Sequence, residues 1–99
     1  MINKVIITGR LTKDPTITET KNGTIVTKII LAIPRDFKNA EGIYETDFIP
    51  VTLWGNLAIN LSKYCKKGDI IGATCKLQLT NNKLELIGER ITFLSNKNI

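Results

Sequence analysis

The sequence predicts an all-β chain that closes as a small five-stranded barrel with one short helix between strands 3 and 4. Three observations carry that expectation. Residues 2–12, 24–33, 47–55, 69–80 and 83–94 alternate in polarity, the period of two that a half-buried strand imposes. Residues 56–65 alone switch to helical spacing. Asn22-Gly23 and Asn81-Asn82 are tight-turn pairs at places where one strand must fold back on another.

In the first strand Val5, Ile7, Gly9 and Leu11 alternate with Lys4, Ile6, Thr8, Arg10 and Thr12, so Lys4 and Arg10 face outward together. Asp14-Pro15 breaks it, and a further extended piece follows through Thr20. The second strand puts Thr27, Ile29, Leu31 and Ile33 on one face and Val26, Lys28, Ile30 and Ala32 on the other. An outward Ile6 and Ile30 point to contact with another subunit. Pro34 is expected to end this strand, leaving residues 35–46 as a long charged loop that carries Phe37 and Tyr44.

The third strand, DFIPVTLWG, has two unlike faces. Ile49, Val51 and Leu53 point one way, and Phe48, Pro50, Thr52 and Trp54 the other. Burying an aliphatic side chain is worth roughly 1.5 to 3 kcal/mol, so the aliphatic row is expected to take the core and leave the rings outward. At about 3.3 Å per residue, Phe48 and Trp54 then stand roughly 20 Å apart, two stacking stations on an extended ligand. The competing reading places both rings in the core or at a subunit interface.

In the helix Leu57, Leu61 and Cys65 form one apolar stripe flanked by Ala58 and Tyr64, and Lys66, Lys67 and Gly68 close it. The fourth strand is expected to point Ile71, Ala73, Cys75, Leu77 and Leu79 inward and Thr74, Lys76, Gln78 and Thr80 outward. In the fifth, Gly88 interrupts the alternation and marks a candidate bulge before Ile91 and Phe93. Strand, strand, strand, helix, strand, strand is the order of an OB-fold Greek-key barrel, whose strand 2 and 3 face binds oligonucleotides. An SH3-like barrel lacks a helix at that place.

With 99 residues and 42% hydrophobic content, the chain makes one domain, residues 1–95, with 96–99 a short C-terminal end. The net charge of +5 favours a polyanionic partner, although the cations are spread along the chain. Cys65 and Cys75 have no CxxC spacing and no histidine beside them, which fits a reduced cytoplasmic setting better than a zinc site or a disulfide framework. The longest N-terminal apolar run is too short for a signal peptide or a membrane span.

The absence of histidine and the scatter of single acids leave no acid/base pair, nucleophile, metal cluster or cofactor motif. A metal-dependent nuclease requires Asp14, Glu19, Asp36, Glu41 or Asp47 to converge from distant loops. Basic and aromatic groups on adjoining outward faces instead fit single-strand binding by backbone charge and ring stacking, with no enzymatic step. Lys4, Arg10, Lys28, Lys67 and Lys76 are the candidate phosphate contacts, each with a merely solvated role as the alternative.

Through NKVIITGRLTKDP, the NGT-to-ILAI strand, DFIPVTLWGNLA, KYCKKGD and the ITFL ending, the chain resembles the bacterial single-stranded DNA-binding proteins over nearly its whole length. The resemblance implies stacking by Phe48 and Trp54, with Phe37 at a third aromatic position, and basic contacts from Lys4 and Lys67. Pro50 and Asn56 stand where relatives often carry cations. The resemblance also implies a homodimer or homotetramer, single-stranded DNA as partner, and roles in replication, recombination or repair. No membrane or small-molecule substrate is implied. The loop between strands 4 and 5 is cut to Asn81-Asn82, and no acidic tail follows Ile99, so tail-mediated recruitment of partners is not expected. The alternative is a primosomal replication protein of the PriB type, bridging single-stranded DNA and replication partners.

Overall fold

Alternating apolar residues zip into β1 (Val5–Leu11), β2 (Thr18–Glu19), β3 (Ile25–Lys38), β4 (Tyr44–Trp54), β5 (Ile70–Thr80) and β6 (Lys83–Phe93), with α1 (Asn56–Tyr64) between β4 and β5. The computed structural model describes residues 1–94. The short C-terminal end expected at residues 96–99 lies outside the described residues. β1 pairs with β5, β5 with β6, β6 with β4, β4 with β3, and β3 again with β1 at Leu11 and Leu31. That circuit closes a five-stranded barrel, and the two-residue β2 adds to the edge of β3. The β4–β6 pairing is parallel and meets at Thr52 and Ile87.

Leu11, Ile29, Leu31, Val51, Leu53, Ile71, Ala73 and Cys75 fill the barrel, and α1 seals one end with Ala58 and Leu61. Two glycines make closure possible. A Cβ on Gly9 would stand 2.9 Å from both Ile33 Cγ1 and Leu31 Cβ, where β1 crosses β3. A Cβ on Gly88 would collide with Leu53 Cδ2. The register also shifts there, from Thr74 opposite Arg90 to Cys75 opposite Gly88, so the bulge expected at Gly88 is present.

Several expectations need correction. Pro34 does not end the second strand: β3 runs to Lys38, and Pro34 pairs with Thr46. Proline is tolerated in a strand where no ladder donor is required, and the register shifts between Pro34 and Lys38. Consequently residues 35–46 form a two-stranded ribbon rather than a loop. Arg35 stitches it, donating to Asp47 at 3.0 and 3.1 Å and to Glu45 at 2.7 Å. Its turn is closed by Asn39 Oδ1, which accepts from the Glu41 and Ile43 amides at 2.9 and 3.0 Å.

Leu77 and Leu79 continue the inward face of β5 in register but are exposed, as is Leu84. The β5–β6 hairpin outruns the barrel, so alternation survives where no core remains to receive the side chains. Thr52 lies on the outward row yet is buried, because Glu85 of β6 covers it with a 3.3 Å hydrogen bond. Ile49 is only half-buried and Tyr64 is exposed, its ring meeting Phe93 edge-on at 6.2 Å.

Candidate nucleic-acid interface

With Val51 and Leu53 wholly buried, alternation along β4 leaves Phe48 62% and Trp54 44% exposed, so both rings stand outside the core of this chain. Backbone pairing with β3 sets what lies between the rings. Trp54 stands opposite Val26, Thr52 opposite Lys28, Pro50 opposite Ile30 and Phe48 opposite Ala32. Lys28 is therefore the cation on the face that both rings share. Arg10 pairs with Ala32, which puts it in the same cross-strand row as Phe48.

Two clefts border this face. One, of about 350 Å³, lies between it and the β5–β6 hairpin and is lined by Lys28, Pro50, Thr52, Lys83, Glu85 and Leu86, among others. The other, of about 240 Å³, runs under the segment that follows β1 and is lined by Thr12, Lys13, Asp14 and again Lys28. Lys28 belongs to both, so the two clefts adjoin in one groove across β3 and β4.

Of the other sequence-derived cations, Arg10 shares the row of Phe48, whereas Lys4, Lys67 and Lys76 are dispersed around the barrel. Lys4 makes a 2.7 Å ion pair with Glu89, whose carboxyl it holds below the ordinary glutamate range chiefly by that hydrogen bond. Arg10 donates to the Gly68 carbonyl at 2.6 Å and keeps its exposed position. Lys67 sits in the α1–β5 turn, its backbone amide donating to Asp14 Oδ1 at 2.7 Å. Lys76 lies on β5 opposite Ile87.

Phe37 is exposed but precedes by one residue Lys38, the partner of Tyr44, and so falls on the other side of the ribbon. Tyr44 has the same parity as Phe48 and carries the Lys38 ammonium 5.7 Å from its ring centre. Tyr44, Lys83, Glu85 and Leu86 are the residues that sequence reasoning left out of the site. The β signal for Tyr44 was present in its alternation with Thr46 and Phe48, masked by treating Pro34 as a stop. The hairpin residues have no comparable signal, because it is the arch of β5–β6 that brings them over β4.

Among the described residues no three of His, Cys, Asp and Glu gather into a group able to hold a metal ion. Asp47, one of the five acids of the nuclease alternative, is held below the usual aspartate range by the Arg35 hydrogen bond. Burial raises the Cys75 thiol, as expected for a small core residue rather than a reactive one. No helix among the described residues is long and apolar enough to cross a membrane.

The family model described as "Single-strand binding protein family" matches residues 2–93. The chain belongs to that family. A Bacillus subtilis protein named single-stranded DNA-binding protein B is 44% identical over 78 residues, covering 79% of this chain and 69% of the relative. A Bacillus cereus single-stranded DNA-binding protein is 38% identical over 107 aligned positions, covering 99% of this chain. This chain spans 63% of that relative's length. The crystal structure of single-stranded DNA binding protein from Thermus aquaticus superposes with a TM-score of 0.76 at 28% identity, covering 96% of this chain and 41% of that one. The resemblance carried by the strand motifs and the barrel expected from the element order therefore both hold.

Proposed function

We propose that this chain binds single-stranded DNA with little regard to sequence, protecting it during replication, recombination or repair. The observation that carries the reading is the pair of exposed rings, Phe48 and Trp54, on one face with Lys28 between them at the junction of two clefts. Bases stack on the rings because every base has a π-face, at about 1 to 3 kcal/mol each. Phosphates are neutralised by Lys28 and Arg10 within the site, and by Lys4, Lys67 and Lys76 around the barrel. Tyr44 extends the stacking surface along the ribbon, and Phe37 offers a further ring on the ribbon's other side. The chain acts without cofactor or metal and does not cleave its ligand, and its substrate places its work in the cytoplasm.

The assembly is a homodimer or homotetramer joined in part through β1. Residues 5–9 of β1 pair with β5 on one side only, since pairing with β3 is confined to Arg10 and Leu11. That leaves a run of unpaired backbone groups for a second copy. Ile6, 77% exposed on the outward face, supplies apolar surface beside it.

Trp54 is the single tryptophan and provides the test. Its fluorescence is titrated with an oligothymidine, the matching RNA and a duplex at low and high salt. Strong quenching by the single DNA strand that weakens with salt, and little by duplex, is expected. An unchanged signal together with no shift in gel mobility would refute the reading.

A further inference from the structure

Glu85 places a negative charge in the path of a polyanion. It lines the hairpin cleft with Lys28 and Lys83, and two hydroxyls fix its carboxylate. Thr52 Oγ1, on a residue only 4% exposed, donates to Oε2 at 3.3 Å, and Thr80 Oγ1 donates to Oε1 at 3.1 Å. Each oxygen accepts one such bond and keeps further acceptor capacity. Those hydroxyls come from β4 and from the end of β5, so the carboxylate stays at the cleft whether or not a ligand is there.

A carboxylate beside passing phosphates weakens binding unless it meets a donor. A nucleic-acid strand carries donors on its bases. In a single strand the Watson–Crick edges are open. Cytosine and adenine present an exocyclic amino group there, and guanine an amino group next to a ring N–H. Thymine and uracil present one ring N–H between two carbonyl oxygens, which a carboxylate repels. The other cleft walls suit a base: Pro50, Leu84 and Leu86 offer apolar surface for its faces, while Lys28 and Lys83 offer charge to the flanking phosphates.

We infer that Glu85 is a specificity-determining residue that favours an amino-bearing base over thymine or uracil at one position of an otherwise sequence-tolerant groove. The inference rests on the reading of this groove as the path of the strand. Backbone charge and ring stacking are blind to the base edge, whereas a fixed acceptor is not.

The test compares oligodeoxycytidine with oligodeoxyuridine of equal length, which differ only at ring positions 3 and 4. Both are titrated against Trp54 fluorescence at one salt concentration, with the wild-type chain and with Glu85→Gln. The variant keeps an oxygen that Thr52 or Thr80 can bond and loses the charge. The cytidine-to-uridine affinity ratio is expected to fall about threefold or more in the variant. Glu85→Ala is expected to lower it equally, so the outcome does not depend on the folding of one variant. If both affinities rise together and the ratio stays fixed, Glu85 merely repels phosphate and the inference is overturned with strand binding intact. If neither oligomer binds the wild-type chain, the groove is not the strand's path and both readings fall.

Discussion

Two ribbons outrun the barrel, and they are held by opposite chemistry. The β3–β4 arm is stitched by charge: Arg35 lies between Asp47 and Glu45, and Lys38 sits over Tyr44. The β5–β6 arm pairs Leu77 with Leu86 and Leu79 with Leu84 across the strands, and Asn3 clasps its base by accepting from the Leu77 amide and donating to the Leu77 carbonyl, both at 2.8 Å. The arms root at different places: the β5–β6 arm beside Gly88 of β6, where Leu53 of β4 fills the space, and the β3–β4 arm where Ile33 pairs with Asp47 and Pro34 with Thr46. Beyond the core a ribbon needs cross-strand pairs of some kind, and the kind chosen decides which conditions loosen it.

The strongest way to break the comparison is to attack the barrel core from which both arms extend. Leu53→Ala should cost about 2 to 5 kcal/mol in chemical denaturation, with both arms losing amide protection together. Leu79→Ala, beyond the core, should stay within about 0.5 kcal/mol. A large loss at Leu79 with little at Leu53 would reverse the assignment of core and arm.

Next come changes that separate binding from stability. Phe48→Ala and Trp54→Ala should each weaken single-strand affinity by about 1 to 3 kcal/mol while leaving the melting temperature nearly unchanged; gel shift replaces fluorescence for the second. Tyr44→Ala should weaken binding more than Phe37→Ala, because only Tyr44 shares the parity of Phe48. Equal effects would mean that the strand wraps both sides of the ribbon.

A smaller effect belongs to the turn of the leucine arm. Asn81 and Asn82 have φ of 52° and 64°, a left-handed pair that β-carbon sterics oppose. Asn82→Ala should destabilise by roughly 1 kcal/mol, and Asn82→Gly should not. Thermal melts of the two variants decide it.

The smallest effect is the pH dependence that distinguishes the arms. The folded-state pKa of Asp47 lies below its ordinary 3.8, chiefly through the Arg35 hydrogen bond. Its contribution is therefore complete above that value and is lost as pH falls through the folded-state pKa. Amide protection around residues 35–47 should drop relative to residues 77–86 over that acidic window. Parallel loss in both arms would show that the ion pairs do not hold the ribbon.

The pattern of each strand was legible because alternation is local: Val51 and Leu53 against Phe48 and Trp54 settles a face without any knowledge of the neighbours. Gly88 was legible as a bulge for the same reason. What failed was the prediction of ends. Pro34 reads as a terminator only if its missing N–H is needed, and the geometry of the paired strand decides that. Leu77 and Leu79 read as core because alternation records a face and not how far the barrel extends. Lys28 was legible as outward. Its place between the rings depends on the β3–β4 register, and the contribution of Lys83 and Glu85 depends on how the hairpin arches, neither of which any local pattern encodes.

The two buried thiols have a kinetic consequence. Cys65 follows the helix and Cys75 lies within the barrel, both out of reach of solvent. An alkylating reagent can then modify each only when its surroundings open, so labelling rates at the two positions time the detachment of α1 separately from the rupture of β5. The chain carries two internal clocks, and the lag between them measures whether the seal departs before the barrel comes apart.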